Sequence, residues 1–321
     1  MTYYLKYRPQ TIEELDMQSV RESLTNIVKS GNIPHAFLFA GPKGTGKTSV
    51  ARILAKIINC ESKNPPCNKC EQCLSITNGN NIDIIEMDAA SNRGIDDIRA
   101  LKDTIRLTPS KAKAKIYILD EAHMLTIEAS NALLKTLEEP PSHVYFILAT
   151  TNPEKLIETV KSRTVLISFT KATPEETKRS LARIIKKEEL KIKNEELNEI
   201  IKMSKGSFRD AVKLLEQFSK DSNFLKSIKL FDVQDFLEVL LAKNLKEAII
   251  KIENALRSGC TIVNTTEEIL EKLQSKLIET EDRNLVTLIE YILEAQEFNK
   301  VTPIEELPLE VAIVKWCKLD K

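Results

Sequence analysis

The sequence predicts a parallel α/β sheet domain followed by an all-helical region, and three observations carry that expectation. Short apolar runs alternate with amphipathic stretches up to about Thr170, as in a parallel sheet covered by helices. The run Ala36–Ala40 passes straight into Gly41-Pro42-Lys43-Gly44-Thr45-Gly46-Lys47-Thr48, and then into Ser49–Ile58, which is apolar at helical spacing. From about Ala172 onward the strand-like runs stop.

The candidate strands are Ala36–Ala40, Ile82–Met87, Lys115–Leu119, Tyr145–Thr150 and Val165–Phe169, each rich in β-branched or aromatic residues. Thr173-Pro174-Glu175-Glu176 reads as a helix start, with threonine as the cap and proline in the first turn. Helices are expected over Pro174–Glu188, Asn194–Met203 and Ser207–Phe218. The polar stretch Lys220–Lys229 reads as a linker. Beyond it, Leu237, Leu240, Leu241, Leu245 and Ile249 keep helical spacing. The expected parts are an α/β domain over 1–171, a small helical domain over 172–222 and a second helical domain over 223–321.

A chain of 321 residues is long enough for two or three domains. Its 47 Lys plus Arg balance its 47 Asp plus Glu, so no net charge advertises a polyanionic partner, and nucleic-acid contacts would need a local patch. Nothing resembles a signal peptide, and no apolar run approaches membrane-spanning length, so no membrane partner and a cytoplasmic location are expected.

Gly41–Thr48 matches the phosphate-loop pattern GxxxxGK[ST] in full, between a strand and a helix as that motif requires. Gly41, Gly44 and Gly46 let backbone N–H groups turn inward around a polyphosphate, and the following helix N-terminus adds a favourable dipole. Lys47 would reach the β- and γ-phosphates of ATP, and the Thr48 hydroxyl would hold Mg²⁺. Thr45 and Ser49 complete the nucleotide-binding set from this loop. Further on, the strand Lys115–Leu119 ends in two carboxylates. Asp120 is placed to orient Mg²⁺ through its water shell, and Glu121 to polarise the attacking water. The plainer reading is two acids that cap a strand end and face solvent. A nucleotide binder without turnover would need only Asp120.

Four of the six cysteines cluster: Cys60 at the end of the helix after the phosphate loop, then Cys67, Cys70 and Cys73 in a proline-containing loop. In a cytosolic chain this reads as a structural Zn²⁺ site, not as disulfides. Free thiols and an iron–sulfur cluster are the alternatives. Cys260 and Cys317 stand alone and read as core residues.

These motifs, in this order, resemble the gamma/tau family of bacterial DNA polymerase III clamp-loader ATPases, of the AAA+ class. The resemblance rests on Leu5-Lys6-Tyr7-Arg8-Pro9, His35–Phe39 before the phosphate loop, the four-cysteine insertion, Asp88-Ala89-Ala90-Ser91 and Asn131–Pro141. It implies an AAA+ domain with a zinc module, a helical lid and a helical collar that oligomerises. It implies ATP hydrolysis coupled to opening the sliding clamp and loading it on primer-template DNA, as part of a DNA-directed DNA polymerase. The implied partners are delta, delta-prime and further gamma/tau copies in a pentameric hetero-oligomer.

The same resemblance assigns further roles. Tyr7 and Arg8 touch the adenine end of the nucleotide. Thr151, in Ala149–Pro153, senses the γ-phosphate. Arg163, in Ser162-Arg163, projects into a neighbouring subunit's nucleotide. Arg209, in Gly206–Asp210, reaches the phosphates from the lid. Thr164 stands where the family carries cysteine, Leu15-Asp16-Met17-Gln18 lacks the usual glycine, and the Cys60–Cys67 spacing is short. Leu307–Lys315 resembles the final collar helix, which implies no long tail.

Arg93, Arg99, Lys102 and Arg106, at or near the start of a helix after Asp88, and Lys135 on the next helix, are the candidate DNA contacts. Their plainer reading is pairing of Arg99 and Lys102 with Asp96 and Asp103 on an exposed helix. Delta-prime, another AAA+ motor such as a helicase loader, and a nucleotide-binding scaffold are the competing readings. The intact phosphate loop, the cysteine module and Glu121 with Arg163 argue against each in turn.

Overall fold

The computed structural model describes residues 2–92, 94–222, 224, 232–257, 260–299 and 301–318. The chain divides into two compact units, Met1–Lys220 and Asp221–Lys321.

The first unit is built on a five-stranded parallel sheet: β1 (Ala36–Ala40), β2 (Ile84–Asp88), β3 (Lys115–Asp120), β4 (Val144–Thr150) and β5 (Val165–Ser168), in the order β2-β3-β4-β1-β5. The register aligns Ala40 with Thr150, Leu119 with Leu148 and Asp88 with Asp120. The carboxyl ends of β1, β3 and β4 therefore emerge side by side. That edge is where open α/β sheets bind ligands.

Both faces of the sheet are covered, which is why β1 and β4 read as continuous apolar runs and not as alternating ones. Phe37, Phe39, Ile116, Ile118, Ile147, Ala149 and Ile167 pack against α2 (Gln18–Lys29), α3 (Lys47–Asn59) and α4 (Glu71–Asn78). The alternate residues Leu38, Tyr117, Leu119, Phe146 and Leu148 pack against α5 (Ile95–Ile105), α6 (Ile127–Glu138) and α7 (Glu158–Lys161). A short α1 (Tyr3–Lys6) precedes them. After the sheet come α8 (Pro174–Lys187), α9 (Asn194–Met203) and α10 (Phe208–Lys220).

Most expected elements stand within a residue or two. Thr173 caps α8 in a capping box with Glu176. Ser207 lies before α10, not within it, because its hydroxyl accepts the Asp210 N–H at 3.2 Å as a cap does. β2 begins at Ile84, not Ile82. The Asp83 carboxylate takes the N–H groups of Ser110, Lys111 and Ala112 at 2.8, 2.8 and 2.9 Å, which fixes a turn, and Ile82 is left exposed. The expected linker Lys220–Lys229 starts inside α10 and otherwise lies mostly outside the described residues.

The second unit is helical among its described residues: α11 (Val233–Leu241), α12 (Leu245–Arg257), α13 (Ile262–Thr280), α14 (Arg283–Phe298) and α15 (Leu307–Lys318). Phe236, Leu240, Ile252, Leu273, Leu288 and Ile313 form its core. The Trp316 indole N–H donates to the Leu240 carbonyl at 2.9 Å, joining the last helix to the first. Cys260 and Cys317 are both half-buried; Cys317 packs against this core as expected, whereas Cys260 is not part of it, a correction to its expected place. No described helix is long and apolar enough to cross a membrane.

Candidate nucleotide site and cysteine cluster

The phosphate loop needs its glycines for two reasons, close approach and backbone conformation. A Cβ on Gly41 would lie 2.0 Å from the Phe169 carbonyl oxygen, and one on Gly44 would lie 2.1 Å from Ser207 Oγ. Gly46 has open space around it but sits at φ +100°, a left-handed conformation from which α3 starts. Glycine is the residue that meets both demands without strain.

Lys47 is buried, and its ammonium curls back to donate to the carbonyls of Gly41 and Pro42 at 2.7 and 2.8 Å. Thr45 Oγ1 also donates to Pro42 O, at 2.8 Å. Burial pushes the Lys47 ammonium below its ordinary pKa, and the charges of Glu121 and Asp120 oppose that shift. The lysine head is therefore a poorly hydrated cation in a ring of fixed dipoles, a good electrostatic match for an anion.

At the end of β3, Asp120 Oδ2 accepts from Thr48 Oγ1 at 3.0 Å, so the two predicted magnesium-side residues already touch. Glu121 stands at φ +48° and turns its carboxylate toward β4, where Oε2 accepts from Thr151 Oγ1 at 3.0 Å. The expected water-polarising carboxylate and the expected γ-phosphate sensor are thus hydrogen-bonded to each other. Sequence reasoning missed His123. Its Nδ1 lies 3.4 Å from Glu121 Oε2 and 3.0 Å from the Thr150 hydroxyl, which buttresses the same carboxylate. A histidine two residues past an acidic strand end was the available signal.

The loop opens on a cavity of about 330 Å³, lined by Gly44–Val50, Asp120 and Glu121, by Tyr4, Tyr7, Arg8 and Pro9, and by Phe208 and Arg209. That volume suits a small ligand. Tyr7 is half-buried, and its hydroxyl pairs with Glu188. Burial and the nearby Arg52 pull the Arg8 guanidinium below its ordinary pKa. The Arg209 guanidinium stacks over the Tyr4 ring at 5.0 Å, and the Arg209 backbone N–H donates to Gly44 O at 3.3 Å. Tyr4 is a second residue that the sequence did not single out. Asp16, in the segment lacking the usual glycine, is buried and pairs with Arg183 of α8.

Arg163 does not line this cavity. Its Nε and Nη2 bond Glu138 of α6, the former at 2.7 Å, and Nη1 donates to Thr159 O at 2.7 Å.

The four cysteines converge. The sulfurs of Cys60, Cys67, Cys70 and Cys73 all lie within 4.8 Å of one another. A tetrahedral zinc site with Zn–S of about 2.3 Å needs S···S separations of roughly 3.8 Å, so the donor set fits one ion. Backbone N–H groups of Lys69 and Cys70 draw the Cys67 thiol down to about 6, toward the thiolate a metal requires, while burial pushes Cys73 up to about 12. The segment is not all loop as expected: Cys70 caps α4, and Cys73 lies in that helix's first turn.

Of the candidate DNA contacts, Arg99 and Lys102 lie three residues apart on α5. Arg93 lies outside the described residues. Arg99 is exposed and pairs with Asp96 at 3.1 Å, as the plainer reading has it. Arg106 sits at the carboxyl end of α5, a correction to its expected place near the helix start. Lys135 is exposed on α6.

The family described as "DNA polymerase III, delta subunit" matches residues 17–173. The chain is 36% identical to the DNA polymerase III subunit gamma of Buchnera aphidicola, covering 94% of this chain and 89% of that protein. It is 35% identical to the DNA polymerase III subunit tau of Bacillus subtilis over 96% of this chain, and it spans 56% of that longer protein. Among solved structures, a point mutant of Thermotoga maritima RuvB superposes with a TM-score of 0.53 at 17% identity, covering 82% of this chain and 85% of that one, which supports the AAA+ fold alone. The chain belongs to the gamma/tau subunit family of DNA polymerase III.

Proposed function

We propose that this chain is an ATPase subunit of the bacterial replicative clamp loader, which uses ATP binding and hydrolysis to open the sliding clamp and load it on primer-template DNA. One observation carries the catalytic part. Lys47, Thr48, Asp120 and Glu121 line a single cavity, with Thr48 hydrogen-bonded to Asp120 and Thr151 to Glu121. An inert nucleotide scaffold has no need of the second pair.

In this reading the Gly41–Thr48 loop and Ser49 hold the triphosphate, with Lys47 leaving its two carbonyls for the β- and γ-phosphates. Tyr7 and Arg8 face the adenine end. Thr48 and Asp120 hold Mg²⁺, which when bound neutralises charge on the phosphate oxygens. Glu121 polarises the water that attacks the γ-phosphorus as the bond to the ADP oxygen breaks, and Thr151 keeps that carboxylate aimed. Arg209 reaches the phosphates from α10, and Arg163 serves the nucleotide of an adjacent subunit. A guanidinium suits charge spread over equatorial oxygens. Cys60, Cys67, Cys70 and Cys73 hold one structural Zn²⁺.

The organisation we propose is a nucleotide-binding domain over 1–171, a lid over 172–222 and an oligomerising collar over 223–321. Delta, delta-prime and further gamma/tau copies complete a cytoplasmic pentamer. The test is complementation. Arg163→Ala and Lys47→Ala chains are each assembled with partner subunits, clamp and primed DNA, then mixed. Recovery of ATP hydrolysis above either variant supports an arginine acting across the interface. Mixed complexes no more active than either variant place Arg163 elsewhere.

A further inference from the structure

The cysteine loop and the phosphate loop lie at opposite ends of α3, yet a chain of hydrogen bonds runs from the cysteines to the nucleotide cavity. Its hub is Lys56, a lysine on α3 that is 1% exposed. An ammonium has three donors, and all three are used. They go to Gln10 O at 2.9 Å, Gln10 Oε1 at 2.7 Å and Asn68 Oδ1 at 2.7 Å.

Each end of this hub is anchored. Asn68 stands between Cys67 and Cys70 at φ +55°, so fixing those two sulfurs fixes its amide. Gln10 donates from Nε2 to the Arg8 carbonyl at 2.9 Å, and its Oε1 also accepts from Thr77 Oγ1 of α4 at 3.1 Å. Arg8 and Pro9, with Tyr7 beside them, form one wall of the cavity. A buried ammonium is held by its acceptors alone, so loosening one of them frees the rest.

We infer that Lys56 and Gln10 are positioning residues that brace the Tyr7–Pro9 wall against the cysteine loop, so that metal bound by the four cysteines tightens the site that receives the nucleotide base. The part concerning the base rests on the proposed role of Tyr7 and Arg8. It assigns the cysteine loop a task on the base side of the cavity and none at the phosphates.

The test uses the full chain and two probes, Mg-ATP and Mg-tripolyphosphate, which shares the phosphates but lacks the base. Asn68→Gly removes the amide and keeps a residue suited to positive φ. Lys56→Met removes the ammonium at similar length, and chelation removes the metal. Each should weaken ATP binding by about tenfold, the worth of a charge-assisted hydrogen bond, and leave tripolyphosphate binding unchanged. Amide exchange should quicken over residues 7–12 and stay constant in β1 and β4.

Unchanged exchange over residues 7–12 in Asn68→Gly overturns the brace, as does equal weakening of both probes. Asn68→Gly keeps the test open should Lys56→Met fail to fold. Tyr7→Ala separates the two claims. If it spares ATP binding while Asn68→Gly still quickens exchange over 7–12, the base assignment fails and the brace stands. If it weakens ATP binding while Asn68→Gly does not, the brace fails.

Discussion

Replacing Gly41 and Gly46 by alanine, one at a time, should have unequal consequences that follow from geometry. A Cβ on Gly41 would stand 2.0 Å from the Phe169 carbonyl oxygen and must retreat by about 1 Å to reach even a 3.0 Å contact. Phe169 cannot yield freely. It is buried, its N–H donates to Ala40 O at 2.7 Å, and its ring packs on Phe39 at 5.5 Å between centroids. Gly41→Ala therefore carries overpacking of about 1–3 kcal/mol, added to about 1–3 kcal/mol for placing alanine at φ +150°. Gly46→Ala carries only the cost of positive φ, about 1–2 kcal/mol, because no atom lies within 4 Å of its Cβ. Native-state amide exchange at the β1–β5 junction in urea would read the difference. Fluorescence of Trp316, the single tryptophan, reports the second unit separately and should not change. Equal destabilisation by the two substitutions would show that the Phe169 carbonyl does not limit the space at Gly41.

The other predictions are direct. Lys47→Ala should collapse ATP affinity measured by calorimetry, and a change of less than about threefold, or roughly 0.7 kcal/mol, would remove the phosphate assignment. Thr151→Val should lower single-turnover hydrolysis by at least about tenfold while sparing ATP affinity, since it removes the hydroxyl that aims the Glu121 carboxylate; an unaltered rate would make that hydrogen bond incidental. Elemental analysis should find about one zinc per chain, lost in Cys70→Ser; no metal in a chain with four freely titrating thiols would exclude the zinc site. Burial raises the Asp83 carboxyl pKa, but the N–H groups of Ala112, Ser110 and Lys111 outweigh it and hold the value below the ordinary one. Its stabilisation is therefore full above an ordinary carboxyl pKa of about 4 and fades as pH falls through the folded value. The stability gap between wild type and Asp83→Asn, about 1–3 kcal/mol near neutrality, should shrink in acid. A gap constant with pH would show that the charge of Asp83 is immaterial.

The sheet was legible because its signals are local. Ala36–Ala40 is apolar throughout and ends on a glycine loop, and Thr173-Pro174-Glu175-Glu176 spells out its own cap. Thr48 with Asp120 was legible as a pair because a phosphate loop and an acidic strand end imply each other. What escaped depends on distant residues. Ile82 looks like strand until the Asp83 carboxylate meets N–H groups 27 to 29 residues away. Tyr4 gains its place only when Arg209 arrives from α10. Lys56 reads as one more charge on an amphipathic helix. It is buried because Gln10 and Asn68, 46 and 12 residues away, bring acceptors to it. No periodicity encodes such a meeting.

The proposed function requires ATP turnover that responds to a clamp and to DNA. The direct measurement is steady-state ATP hydrolysis by this chain assembled with the proposed loader subunits, with and without sliding clamp and primer-template DNA, beside Glu121→Gln. Clamp and primed DNA should strongly stimulate the wild type. Glu121→Gln should retain ATP binding, with hydrolysis lower by about a hundredfold or more. Hydrolysis that ignores clamp and DNA, or that survives intact in Glu121→Gln, would contradict the proposed function.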